Sequence, residues 1–237
     1  MKVMILAAGL GKRMLPLTAH TPKPLLEVAG KPLIVHHLEK LQRAGYREVV
    51  MNIGHLGEQI SSLLGNGQQF GLTIEYSREE TLLETAGGII KALPILGDGS
   101  FLVLNADVWC DLPLEKVSKS SDCLAHLYLV ENPAHHPEGD FFIDSTRPVS
   151  ACEHFLVLDK PSDRVLQEGE LRAYTYSGIS ILEPALFAEY EPGVRALAPV
   201  LRRAMTRSVV SASLYQGRWQ DVGTPQRLKQ LNALLSL

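Results

Sequence analysis

Four charged side chains stand close to glycine, alanine or proline: Arg13, Lys23, Asp107 and Asp221. The loop Leu6-Ala7-Ala8-Gly9-Leu10-Gly11-Lys12-Arg13-Met14 lets backbone N–H groups approach a phosphate or a base closely. It is neither of two familiar nucleotide loops. A Walker motif needs Ser or Thr where Arg13 follows Gly11-Lys12, and a dinucleotide fingerprint needs a third glycine where Met14 stands. In Thr21-Pro22-Lys23-Pro24 two prolines restrict the backbone around one lysine. Each segment alone would also suit a solvated turn. Together they supply two cations to one strand-end crevice, which is what a triphosphate requires.

Asn105-Ala106-Asp107 closes the apolar run from Phe101 to Leu104 and puts a carboxylate near the same crevice. Magnesium takes one or two protein carboxylates and completes its octahedron with phosphate oxygens and water. Asp221, in Trp219-Gln220-Asp221-Val222-Gly223-Thr224-Pro225, could supply the second carboxylate or simply cap a turn. The pairs His36-His37 and His135-His136 do not read as metal sites or nucleophiles: His36 and His37 fall within an expected helix, where neighbours point about 100° apart, and no His-x-His triplet occurs. His135 and His136 are expected in a loop. Cys110, Cys123 and Cys152 lack metal-ligand spacing and are expected to be reduced thiols.

The elements that must position these residues follow from periodicity. Lys2 to Ala7 reads as a buried strand, and Leu33 to Ala44 as a helix opened by Pro32 and ended by Gly45. Strands at Glu48 to Ile53, Leu72 to Tyr76 and Phe101 to Ala106 then alternate with helices at Glu58 to Leu64 and Gly87 to Leu93. This predicts an α/β fold, a Rossmann-like and mostly parallel sheet with helices on both faces. Ligands of such sheets sit beyond the strands' carboxyl ends, after residues 7, 53, 76 and 106. Further strands are expected at Leu124 to Val130, Tyr174 to Leu182 and Val209 to Tyr215, with helices at Arg195 to Thr206 and Pro225 to Leu235. Ser145 to Glu170 carries no clear period.

The 237 residues, 46% hydrophobic, suit one sizeable core. A charge of -3, from 23 basic and 26 acidic residues, offers no general attraction to nucleic acid or an anionic membrane. No apolar run reaches the roughly 18 residues of a span, and the first residues are too short a stretch for a signal peptide, so the cytoplasm is expected.

LAAGLGKRM, TPKPLLEVAGKPLI, LNAD and WQDVGTPQRL, in that order, resemble the sugar-1-phosphate nucleotidyltransferase family. The resemblance implies a nucleotide-diphospho-sugar transferase fold over 1–237. Residues 1–130 would form the nucleotide-binding core, and 131–237 the sugar-binding part and closing elements. It implies an NTP and a sugar 1-phosphate as substrates, Mg²⁺ as cofactor, no nucleic-acid or membrane partner, and a monomer or small homo-oligomer. Arg13 would hold the β and γ phosphates, Lys23 the α-phosphate and sugar phosphate, and Asp107 with Asp221 the metal. Ala8, Gly9, Gly11, Glu84, Gly87 and Gly88 would surround the nucleotide, and Asn105, Asp140 and Ser177 the sugar.

Leu83-Glu84-Thr85-Ala86-Gly87-Gly88, the stretch from Asn132 to Phe141, and Tyr176-Ser177-Gly178-Ile179-Ser180 resemble the uridylyltransferase branch of cell-wall recycling. That branch implies UTP and N-acetylmuramic acid α-1-phosphate. Many uridylyl- and thymidylyltransferases read the base with a glutamine just before the glycines, where this chain has Thr81, Leu82 and Glu84. Glu84 could accept uracil N3–H or serve a guanine. Mannose-1-phosphate guanylyltransferase and glucose-1-phosphate thymidylyltransferase remain alternatives, as does a nucleotide-binding domain without catalysis. Asp159-Lys160-Pro161 echoes a Glu-Lys-Pro motif of other members.

Overall fold

The computed structural model describes residues 1–150, 154–159 and 171–236. Strand β1 (Val3–Leu6) shows why the sheet needs two covering layers. Its Val3 and Ile5 enter one apolar cluster and Met4 the opposite one, as the two-residue period of a strand dictates. The β2 (Glu27–Val28) and β3 (Lys31–Pro32) ribbon leads into helix α1 (Leu33–Arg43). Then come β4 (Glu48–Ile53), α2 (Gly57–Leu64), β5 (Thr73–Arg78), α3 (Glu84–Leu96), β6 (Phe101–Asn105) and β7 (Val108–Cys110). β8 (Ala125–Val130), β9 (Phe141–Ser150), β10 (His154–Leu158) and β11 (Leu171–Leu182) follow. The chain closes with α4 (Leu197–Met205), β12 (Val210–Leu214), β13 (Trp219–Asp221) and α5 (Pro225–Leu235).

Nine strands form one sheet in the order β5-β4-β1-β6-β11-β8-β12-β10-β9. The first four are parallel, as the alternation of apolar runs predicts. Beyond β6 the sheet is mixed: β11 runs antiparallel between β6 and β8, β12 is parallel to β8, and β10 and β9 pair antiparallel. Because β11 lies between β6 and β8, residues before and after 130 share one sheet. On one face α1 sets Ile34, Leu38 and Leu41 against Ile5 and Met51. On the other, α3 and α4 bring Ala86, Ile89, Val200 and Leu201 onto Met4, Val103 and Leu127.

β9 and β10 account for part of the stretch without a clear period, while Cys152, Lys160 and Pro161 lie outside the described residues. Two short features set up the site. β13 pairs with β7, Asp221 opposite Val108, and Val222 after β13 and Leu231 of α5 then pack on Met14 and Leu33 beneath the first loop. No helix among the described residues is long and apolar enough to cross a membrane.

Candidate active site

The carboxyl ends of β1 and β6, with the start of α3, open into a cleft of about 430 Å³. It is lined jointly by Ala8, Gly9, Gly11, Arg13, Lys23, Glu84, Asn105 and Asp107. The first loop is shaped by Gly11, whose φ of 62° lies in the left-handed region, and by Thr18, whose buried hydroxyl donates to Gly11 O at 2.9 Å. A Cβ on Gly9 would meet no atom within 4 Å, so this glycine presents bare backbone to the cleft.

The charges are distributed unequally. Lys23 Nζ donates to Asp107 Oδ2 at 2.5 Å, with the lysine side chain 11% exposed and the aspartate 37%. Arg13 is exposed and forms no ion pair among the described residues. Asp221 stands beside Asp107 because the β7–β13 ribbon carries Val222 N–H to Asp107 O at 2.7 Å. Arg227 donates to Asp221 Oδ1 at 2.9 Å and His135 Nε2 lies 3.2 Å from the same oxygen.

Asp107 Oδ1 and Asp221 Oδ2 thus keep no partner among the described residues. Two hard, free carboxylate oxygens, one in the turn before β7 and one on β13, fit Mg²⁺, which draws its other ligands from phosphate and water. No cluster of three or more His, Cys, Asp or Glu occurs among the described residues, so a softer all-protein metal centre is not offered there.

A buried relay that no sequence motif announces braces the α3 end of the cleft. Ala7 N–H donates to Asn52 Oδ1 at 2.9 Å, Asn52 Nδ2 to Glu79 Oε1 at 2.7 Å, and Leu83 N–H to Glu79 Oε2 at 3.0 Å. The relay ties the ends of β1, β4 and β5 to the start of α3, and Glu79 itself lines the cleft. Asn52 was legible in principle: a polar residue in the otherwise apolar Val49–Ile53 run must be bonded if buried.

Gly87 and Gly88 do not line the cleft; the structure gives them a packing reason. A Cβ on Gly88 would lie 2.6 Å from Glu79 Oε1 and 2.7 Å from Asn52 Nδ2, and one on Gly87 2.2 Å from Gly193 O. Glu84, by contrast, lines it from a strained position, with φ of 58°.

The sugar-side residues are less exposed to the cleft than expected. Ser177 is 1% exposed, and its Oγ accepts Ile179 N–H at 3.2 Å. Asp140 spends Oδ2 on Tyr176 N–H at 2.8 Å while His136 Nε2 lies 3.1 Å from Oδ1. Asn105 lines the cleft and leaves its buried Oδ1 without a hydrogen-bond partner. His36 and His37 share no ligand: His36 Nε2 lies 2.7 Å from Val28 O, while burial drives the His37 pKa down to about 4 against a bond to the Ala106 backbone.

The nucleotidyl transferase family model matches residues 2–236. The chain is 47% identical to N-acetylmuramate alpha-1-phosphate uridylyltransferase of Neisseria meningitidis, over 99% of this chain and 98% of that protein. Identity to the protein of the same name from Caulobacter vibrioides is 33%, over 94% of this chain and 92% of the other. A mannose-1-phosphate guanyltransferase of Gibberella zeae is 32% identical over 95% of this chain but only 62% of its own length. The crystal structure of a putative glucose-1-phosphate thymidylyltransferase from Bacillus anthracis shares the fold with a TM-score of 0.79 at 24% identity, covering 98% of this chain and 94% of that one. A UDP-glucose pyrophosphorylase gives a TM-score of 0.72 at 22% identity, over 99% and 98% of the two chains.

Proposed function

The chain belongs to the nucleotidyl transferase family and is a sugar-1-phosphate nucleotidyltransferase, and from that premise we propose that it converts UTP and N-acetylmuramic acid α-1-phosphate to UDP-N-acetylmuramic acid and pyrophosphate. The observation that carries the reading is the single cleft gathering Arg13, Lys23 and Asp107 with the glycine loop, in a chain similar end to end to a uridylyltransferase of that sugar.

The chemistry is in-line displacement at the α-phosphorus. A bond forms from a sugar-phosphate oxygen to the α-phosphorus as the bond to the β-phosphate oxygen breaks, and pyrophosphate leaves. A phosphate monoester has a second pKa of about 6, so the nucleophile is already mostly ionised at neutral pH and no general base is required. What remains for the protein is to align two anions and offset their repulsion.

Arg13, unpaired and exposed, meets the β and γ phosphates. Lys23 exchanges its contact with Asp107 for the α-phosphate and the incoming sugar phosphate. Backbone groups of Ala8, Gly9 and Gly11 approach the nucleotide where no side chain intervenes, and Glu84 accepts N3–H of uracil. Mg²⁺ would be held by Asp107 and Asp221 and would supply positive charge to the triphosphate oxygens. Asn105 lies between these groups with an unused acceptor for a sugar hydroxyl.

Pyrophosphate release, followed across four nucleoside triphosphates and a panel of sugar 1-phosphates, tests the assignment. The highest kcat/KM is expected for UTP with N-acetylmuramic acid α-1-phosphate. A preference for GTP with mannose 1-phosphate would move the chain to the guanylyltransferase reading.

A further inference from the structure

The loop between β8 and β9 is built more firmly than a connecting loop needs to be. Asn132 Nδ2 donates to Pro137 O at 3.0 Å and to Ala173 O at 3.1 Å, and its Oδ1 accepts from Thr175 Oγ1 at 2.9 Å. At the far end Asp140 Oδ2 accepts Tyr176 N–H at 2.8 Å. Gly139, with φ of 69°, packs so closely that a Cβ would lie 2.7 Å from Asn132 Oδ1 and 3.0 Å from the Tyr174 backbone. Both ends are therefore pinned to β11, and between them His135 reaches out to a carboxylate on a different element, Asp221 of β13.

Two side chains converge on one oxygen there. Arg227 Nη1 donates to Asp221 Oδ1 at 2.9 Å, and His135 Nε2 stands at ion-pair distance, 3.2 Å, from the same oxygen. The other oxygen, Oδ2, sits beside Gly223, where a Cβ would lie 2.8 Å from it and 2.1 Å from Arg227 Nη2; Gly223 lines the cleft, while Asp221 itself stands behind it. Arg227, only 13% exposed, already offsets the charge of Asp221. The histidine is 45% exposed, so water screens what its contact adds to stability. What it adds is a second point of attachment, which stops the carboxylate from turning.

We infer that His135 is a positioning residue for the metal carboxylate: with Arg227 it locks Asp221 Oδ1 so that Oδ2 is presented to the divalent cation. The inference rests on the reading of Asp221 as a metal ligand. It makes the β8–β9 loop part of the metal centre through a residue that touches neither metal nor substrate.

The test is direct binding of Mn²⁺ to the full chain, titrated by electron paramagnetic resonance with a non-hydrolysable UTP analogue present, for the parent, His135→Ala, His135→Gln and Asp221→Asn. His135→Ala should raise the Mn²⁺ Kd roughly tenfold, at the low end of what outer-shell partners of a metal ligand contribute. His135→Gln, which keeps an N–H donor, should recover most of that. Both should melt with the parent, since the side chain is half exposed. If Asp221→Asn weakens Mn²⁺ binding and His135→Ala does not, the positioning role is wrong while the metal site stands. If Asp221→Asn also binds as the parent does, the two-carboxylate site fails and the role of His135 fails with it.

Discussion

Arg13 and Lys23 are both cations of one cleft, yet what holds them differs, and so should the effects of losing them. Arg13 is exposed and has no ion-pair partner among the described residues, so Arg13→Ala should lower kcat/KM by on the order of 10²-fold or more while the melting temperature stays near the parent's. Lys23 is bound to Asp107, so Lys23→Ala should remove activity and also cost at most about 1 kcal/mol, the aspartate being exposed enough for water to screen it. Lys23→Arg should not rescue, because a planar fork cannot replace a point charge fixed between two prolines. A large drop in the melting temperature of Arg13→Ala would return the first loop to a structural role. At Glu84 the backbone itself bears on the argument: a left-handed conformation costs a non-glycine residue roughly 1–2 kcal/mol. Glu84→Gly relieves that strain and removes the acceptor proposed for N3–H. The fold should hold while the kcat/KM ratio of UTP to CTP, whose base offers no N3–H, falls at least tenfold; an unchanged ratio would exclude Glu84 from base selection. These residues were legible in the sequence because each stands in an unusual setting, an arginine after glycines or a lysine between prolines. The Lys23–Asp107 and Asn52–Glu79 contacts were not, since nothing local announces a partner so distant along the chain.

At the scale of elements, the parallel half of the sheet was readable because each apolar run ends in a turn and is followed by a helical period, as from Glu48–Ile53 into Gly57–Leu64. The three-residue strands β7 and β13 were not. Their pairing depends on α5 folding back under the first loop, yet they are what brings Asp221 to Asp107. If that ribbon mounts a shared metal site, Asp107→Asn and Asp221→Asn should each lower kcat/KM by roughly 10²-fold, with partial recovery at higher Mg²⁺. The double variant should be scarcely worse than the worse single one, because the two act as a unit. Losses that multiply in full would separate the two carboxylates. Helix α3 allows a test of the relay beneath the cleft. Alanine is normally better than glycine inside a helix by about 1 kcal/mol, so on propensity alone Gly88→Ala should stabilise. The Asn52–Glu79 bond occupies the space its Cβ would need, and overpacking costs about 1–3 kcal/mol. The variant should therefore melt below the parent and show a raised KM for the triphosphate. A variant more stable than the parent, with KM unchanged, would show that the relay does not shape the cleft.

For the whole molecule, acid should act through histidines held neutral on different elements of the fold, His37 and the neighbouring pair His126 and His154, of which His37 and His126 are shifted furthest. His37, on α1, has its pKa pushed down to about 4, chiefly by burial, with Lys40 and His36 adding to it. His126, on β8, is pushed to about 3 by burial and by its neighbour His154, and its Nδ1 lies 2.9 Å from Ser211 Oγ. In the unfolded chain both return to about 6.5, so above that pH the two states bind the same number of protons and these residues contribute no slope. Below it the unfolded chain takes up protons that the folded chain refuses. Stability then falls by at most about 1.4 kcal/mol per pH unit for each histidine, until pH reaches about 4 for His37 and about 3 for His126. Urea unfolding at pH 7, 6 and 5 should show a small loss over the first step and a larger one over the second. His126→Asn, which can keep a bond to Ser211, should be less stable at pH 7 but should lose about one proton's worth of that slope. Equal unfolding free energies at pH 7 and 5, or the same slope in parent and variant, would mean that His126 is protonated inside the fold. The seam of β8, β10 and β12 would then have to solvate a cation that the present packing leaves without a place.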